Sequence, residues 1–63
     1  MSEHFNMSMR KFLKQVGVTS QQAIEEAMRK ANDTSGKTYT AKIVLTIDEM
    51  DFEHVVIGKI EGI

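Results

Sequence analysis

Residues Thr40–Ile60 read TAKIVLTIDEMDFEHVVIGKI, two strand-like runs joined by an acidic turn. Ala41, Ile43, Leu45 and Ile47 alternate with Lys42, Val44, Thr46 and Asp48. That period of two is the signature of a strand, and the β-branched content supports it. Phe52, His54, Val56, Gly58 and Ile60 alternate in the same way with Glu53, Val55, Ile57 and Lys59. Pairing Ile47 with Phe52 leaves Asp48–Asp51 as the connection, a common hairpin length. That register sets Leu45 opposite His54 and Ile43 opposite Val56, and it makes their face the core face.

The other face carries Lys42, Thr46, Glu53 and Lys59, as a solvated face should. It also carries Val44, Val55 and Ile57, with Val44 opposite Val55. Three clustered aliphatics on a nominally wet face are more than scatter. Lys and Glu stems can cover part of such a patch; a second copy of the chain covers it better. Val44, Val55 and Ile57 are therefore the candidate dimer or partner surface.

Working outward, Phe5, Met9, Phe12, Leu13 and Val16 recur with helical spacing. Ser2 or Asn6 is placed to cap the start of a helix. Gly17 suits the left-handed residue that ends one, with Val18 as the following hydrophobic contact. Thr19-Ser20-Gln21-Gln22 then reads as a capping box opening a second helix, with Val18 and Ala23 as its staple. Ile24, Ala27, Met28 and Ala31 form the second stripe, and Glu25–Arg29 and Glu26–Lys30 are stabilising i, i+4 pairs. Asn32–Lys37 (NDTSGK) is a polar break. The predicted fold is α+β: two N-terminal helices meeting at a sharp corner and packed on a C-terminal antiparallel hairpin, the sheet extended by dimerisation. On this reading Phe12 and Leu13 are core residues, and truncating either to Ala should cost about 2–5 kcal/mol.

Sixty-three residues and 7.1 kDa suit a single small domain spanning residues 1–63. Apolar residues make up 41% and charged residues 27%, which is a globular rather than a disordered balance. Folding a chain of this size should bury roughly 6,000 Å². If about 60% of that is apolar, the gain is roughly 90 kcal/mol. Ordering the chain costs about 95 kcal/mol. The two nearly cancel, and with no Cys there is no disulfide or thiolate metal site to help. Homodimerisation is the remaining staple.

The formal net charge is −1, too near neutral to argue for nucleic acid. No leader-like or membrane-spanning apolar run is present, so a cytoplasmic location with no membrane partner is expected. Gly36-Lys37-Thr38 looks like the end of a phosphate loop, but the first Gly of that motif is missing and the flanking elements come in the wrong order. His54, opposite Leu45, reads as a hydrogen-bonded, partly buried group rather than a base or ligand. Asp48, Glu49, Asp51 and Glu53 lack calcium-loop spacing. No catalytic, cofactor-binding or metal-binding residue is assigned, and the expectation is a non-enzymatic homodimeric module that binds a protein or small partner. The alternative is a small DNA-binding regulator using the helix corner at residues 12–31, although Glu25 and Glu26 would face phosphates there.

The run Phe5-Asn6-Met7-Ser8-Met9-Arg10-Lys11-Phe12-Leu13-Lys14, then Val16-Gly17-Val18, Leu45-Thr46-Ile47-Asp48 and Glu53-His54, resembles a small family of uncharacterised bacterial proteins. The similarity covers most of the chain and is weakest over Asn32–Thr38. It implies a bacterial cytosolic protein of about this length, and it carries over no catalytic residue. The family's turn often has Gly where this chain has Glu49.

Overall fold

A computed structural model describes all 63 residues. The order of elements is α1 (Glu3–Lys30), β1 (Thr38–Thr46) and β2 (Glu53–Glu61). The residues fall into two compact units, Met1–Asn32 and Asp33–Ile63.

The first unit is one helix, not the two expected. Ser2 caps it: its hydroxyl accepts the Phe5 N–H at 3.0 Å, and Glu3 sits in the first turn. Arg29 and Lys30 occupy the last turn, where the exposed carbonyls favour positive charge. The helix ends as Ala31 turns extended (φ −75°, ψ 147°) while its N–H still reaches the Ala27 carbonyl. Gly17 lies inside the helix, and no left-handed turn forms there. Thr19 is not a cap: its hydroxyl donates to the Gln15 carbonyl at 2.8 Å, the back-bond of a Thr within a helix. Of the two expected ion pairs, Glu26–Lys30 forms at 3.5 Å. Glu25 instead accepts from Gln21, and Arg29 turns to Glu26 at 2.7 Å.

The physical reason for continuity is phase. At 3.6 residues per turn, Phe5, Met9, Phe12, Val16, Ser20, Ala23 and Ala27 share an arc of about 80°. A corner at Gly17 would rotate the second stripe away from the first and leave eight backbone groups without helical partners. One interior Gly costs only about 1 kcal/mol. Without the corner, residues 12–31 have no helix-turn-helix geometry, and the DNA-binding alternative loses its structural basis.

The second unit opens with a turn at Thr34–Lys37. The Lys37 N–H donates to the Thr34 carbonyl at 3.2 Å, with Gly36 at φ 76°. Positive φ at the third turn residue alone is the type II pattern, which favours Gly. β1 and β2 then pair antiparallel in the expected register: Ile43 with Val56, Val44 with Val55, Leu45 with His54. The ladder closes at Thr46–Glu53, one pair short of Ile47–Phe52. The connection is thus six residues rather than four, tightened by the Met50 N–H donating to the Ile47 carbonyl at 3.3 Å. The sheet has two strands, with no third on either outer edge.

Neither unit buries a hydrophobic side chain, which corrects the expected core. A lone helix and a lone two-stranded ribbon have no interior. Tyr39, Ala41, Leu45 and Ile60 are half-buried, and all four lie on the face expected to be apolar and covered. The single buried residue is Thr34.

Candidate association surfaces

Because β-strand side chains alternate, directly paired residues share a face. Register therefore puts Val44 and Val55 side by side, with Ile57 paired to Lys42 on the same face. Their exposures are 49%, 41% and 63%, so all three are open to solvent. The patch is bounded by Thr46–Glu53 towards the turn and by Thr40–Lys59 at the other end. There Lys59 Nζ donates to Thr40 Oγ1 at 2.8 Å, across the pair that ends the patch.

The reverse face carries Ile43 and Val56, both exposed, beside the half-buried Tyr39, Ala41, Leu45 and Ile60. The ribbon is apolar on both sides. The helix is apolar on one: Phe5, Met9, Phe12 and Leu13 are exposed along its stripe, and Val16 and Met28 are half-buried. Sequence reasoning split this stripe at Gly17. The eleven-residue spacing of Phe5, Val16 and Ala27, and of Met9, Ser20 and Ala31, was the signal that joins it.

His54 sits opposite Leu45 as expected, but it is exposed and its ring makes no hydrogen bond within the chain. His4 is exposed in the first helical turn. Asp48, Glu49, Asp51 and Glu53 line the hairpin turn, and no three acidic or His side chains gather as a metal site. Lys37 and Thr38 run into a strand rather than a helix, so the phosphate-loop fragment is a turn.

Thr34 was missed. Its hydroxyl donates to the Ile63 carbonyl at 3.0 Å and accepts the Ile63 N–H at 3.1 Å. The Gly62 N–H donates to the Lys37 carbonyl at 2.8 Å, so the end of β2 is stitched to the loop before β1. Nothing in the local sequence NDTSGK announces a partner nearly thirty residues away.

No helix is long and apolar enough to cross a membrane. No curated protein and no solved structure matches the chain. The profile of a family of unknown function, DUF6494, matches residues 1–63, the whole sequence, and the chain belongs to that family.

Proposed function

We propose that this chain is a non-enzymatic self-association module of the bacterial cytoplasm, a homodimer whose assembled surface engages a further protein or small partner. One observation carries the reading. The chain has a single apolar helix stripe and a ribbon that is apolar on both faces, with Val44, Val55 and Ile57 on one and Ile43, Leu45 and Val56 on the other. However one stripe is used, one ribbon face stays uncovered within a single chain. A second copy supplies the missing cover, and it can pair the open strand edges that an isolated hairpin leaves exposed.

The non-enzymatic part of the reading is supported by the side chains themselves. The two His residues are exposed, one in each unit, and the side-chain hydrogen bonds serve the helix cap, pairs within the helix, a cross-strand pair and the Thr34–Ile63 clasp. The cytoplasmic part rests on the family resemblance and on a sequence without Cys, which suits a reducing compartment.

Sedimentation equilibrium of the full chain at micromolar concentration tests the reading. The expected mass is twice 7.1 kDa. A strict monomer across that range overturns it. Val55→Lys combined with Ile57→Lys places charge in the proposed contact and should shift the equilibrium towards monomer.

A further inference from the structure

The outer edge of β2, Glu53–Glu61, has no strand beside it. We propose that two copies of the chain pair this edge antiparallel about a two-fold axis through Val56, joining two hairpins into one sheet of order β1-β2-β2-β1. The proposal rests on the self-association reading and names its edge and register.

Two copies of a strand that pair antiparallel about a two-fold axis set one residue opposite its own copy, and that residue fixes the register. With Val56 on the axis, Glu53 faces Lys59 of the other copy, and Lys59 faces Glu53 in return. Between these ion pairs Val55 faces Ile57, both exposed aliphatics of one ribbon face. Opposite charges directly across a ladder stabilise it, and like charges weaken it.

Other registers of the same edge lack this match. Centring on Ile57 sets Glu53 against Glu61 at both ends. Centring on Gly58 sets Val55 against Glu61 and Ile57 against Lys59. Centring on Lys59 opposes two ammonium groups, and centring on Val55 leaves Glu53 against Ile57. Centring on Ile60 sets Lys59 against Glu61 but pairs residues 59–61 alone. On β1 the one charged residue is Lys42, so no pairing of that edge with itself makes an ion pair. Joining β1 of one copy to β2 of the next leaves an edge open at each end and never closes.

The side chains concerned are available. The ion pairs within the chain all lie on α1, so Glu53 has none. Lys59 spends one N–H on Thr40, and an ammonium has three to give.

Gly58 is an independent pointer. It sits inside β2 without a positive φ, and nothing lies within 4 Å of where its Cβ would be. Neither backbone conformation nor crowding within the chain calls for Gly there. A strand Gly of this kind marks a close approach by something else. With Val56 on the axis, His54 of the other copy lies directly across from Gly58, where its exposed ring covers the bare backbone.

Sedimentation equilibrium tests the charges. Glu53→Lys opposes two ammonium groups at each end, and Lys59→Glu opposes two carboxylates; each variant alone should dimerise at least about tenfold more weakly than the parent. An equal mixture of the two variants re-forms both ion pairs and should recover the parent's affinity as a heterodimer. Variants that dimerise like the parent, or a mixture that recovers nothing, overturn the register.

Thiols test the edge, because the sequence has no Cys of its own. Val56 and Ile43 are paired within the hairpin and share a face. Across the axis the two copies of Val56 lie about 5 Å apart, within reach of a disulfide. The two copies of Ile43 lie three strand spacings apart, about 14 Å. Val56→Cys chains should therefore cross-link at least about tenfold faster than Ile43→Cys chains. Equal rates, or faster cross-linking of Ile43→Cys, overturn the β2 edge. If the parent chain is still a dimer, that result sinks the geometry alone; a parent that is strictly monomeric sinks the self-association reading with it.

Discussion

Gly62 lies against the backbone of Thr34 so closely that a Cβ at position 62 would overlap the Thr34 carbonyl and come within 2.9 Å of its Cβ. The same contact makes Thr34 the one buried residue, 3% exposed, with both hydrogen-bonding capacities of its hydroxyl used on Ile63. An added methyl at Gly62 must push rigid backbone aside. Gly62→Ala is therefore expected to open this clasp, and Thr34→Val, which keeps the shape but removes the hydroxyl, to weaken it by about 1–2 kcal/mol. Amide exchange reads both: the Gly62 and Ile63 N–H groups should exchange at least several-fold faster in either variant. Unchanged protection would mean that the clasp does not hold in solution.

Gly17 gives a test of opposite sign for the two readings of the helix. A helix-ending Gly in the left-handed region penalises any Cβ, so Ala there would destabilise. An interior helical Gly has no such need, and open space surrounds the position of its Cβ. Gly17→Ala should raise helix stability by about 0.5–1 kcal/mol. Far-ultraviolet circular dichroism during thermal unfolding decides between them; a lower midpoint for Gly17→Ala would restore the corner.

The hairpin turn carries strain of the same kind at a residue that is not Gly. Glu49 adopts φ 69°, with its turn closed by the Met50 N–H on the Ile47 carbonyl. An L residue in that region costs roughly 1 kcal/mol or more relative to Gly. Glu49→Gly should stabilise the hairpin by about 1 kcal/mol, less what Gly loses in entropy in the unfolded chain. A drop in the unfolding midpoint would show that the turn takes another form.

What was readable in the sequence and what was not divide along a physical line. The strand register, Val44 against Val55 and Leu45 against His54, was readable because a period of two fixes the parity of the pairing and the short connection between the two runs selects among the alignments of that parity. The end of α1 was readable because NDTSGK offers no helical stripe. The helix break was misread because Gly17, Val18 and Thr19 together mimic a stop and a restart, and local capping signals were weighed above the phase of the stripe on either side. The expected core was misread for a related reason. Apolar spacing shows that a face is meant to be covered, but not by which chain. The clasp of Thr34 on Ile63 had no local signal at all, since a Thr in a polar loop looks alike whether its partner is water or a distant strand.

Phe12 and Leu13 test who covers the helix. They are 47% and 49% exposed, so truncating either removes little from the single chain itself. If the stripe is buried between two copies, the loss appears in association instead. Full burial of a Leu side chain contributes about 1.5–3 kcal/mol, and with 49% of Leu13 still exposed in each chain the two copies together gain about that much. Leu13→Ala should therefore weaken the dimer by about tenfold to several hundredfold. The unfolding midpoint of the parent chain should rise with protein concentration, because only the folded dimer gains from mass action. Leu13→Ala should unfold at a lower temperature at high concentration and converge on the parent as both are diluted to monomers. A deficit that persists unchanged on dilution would place Leu13 in a core within one chain, as the sequence first suggested, and would remove the helix from the interface.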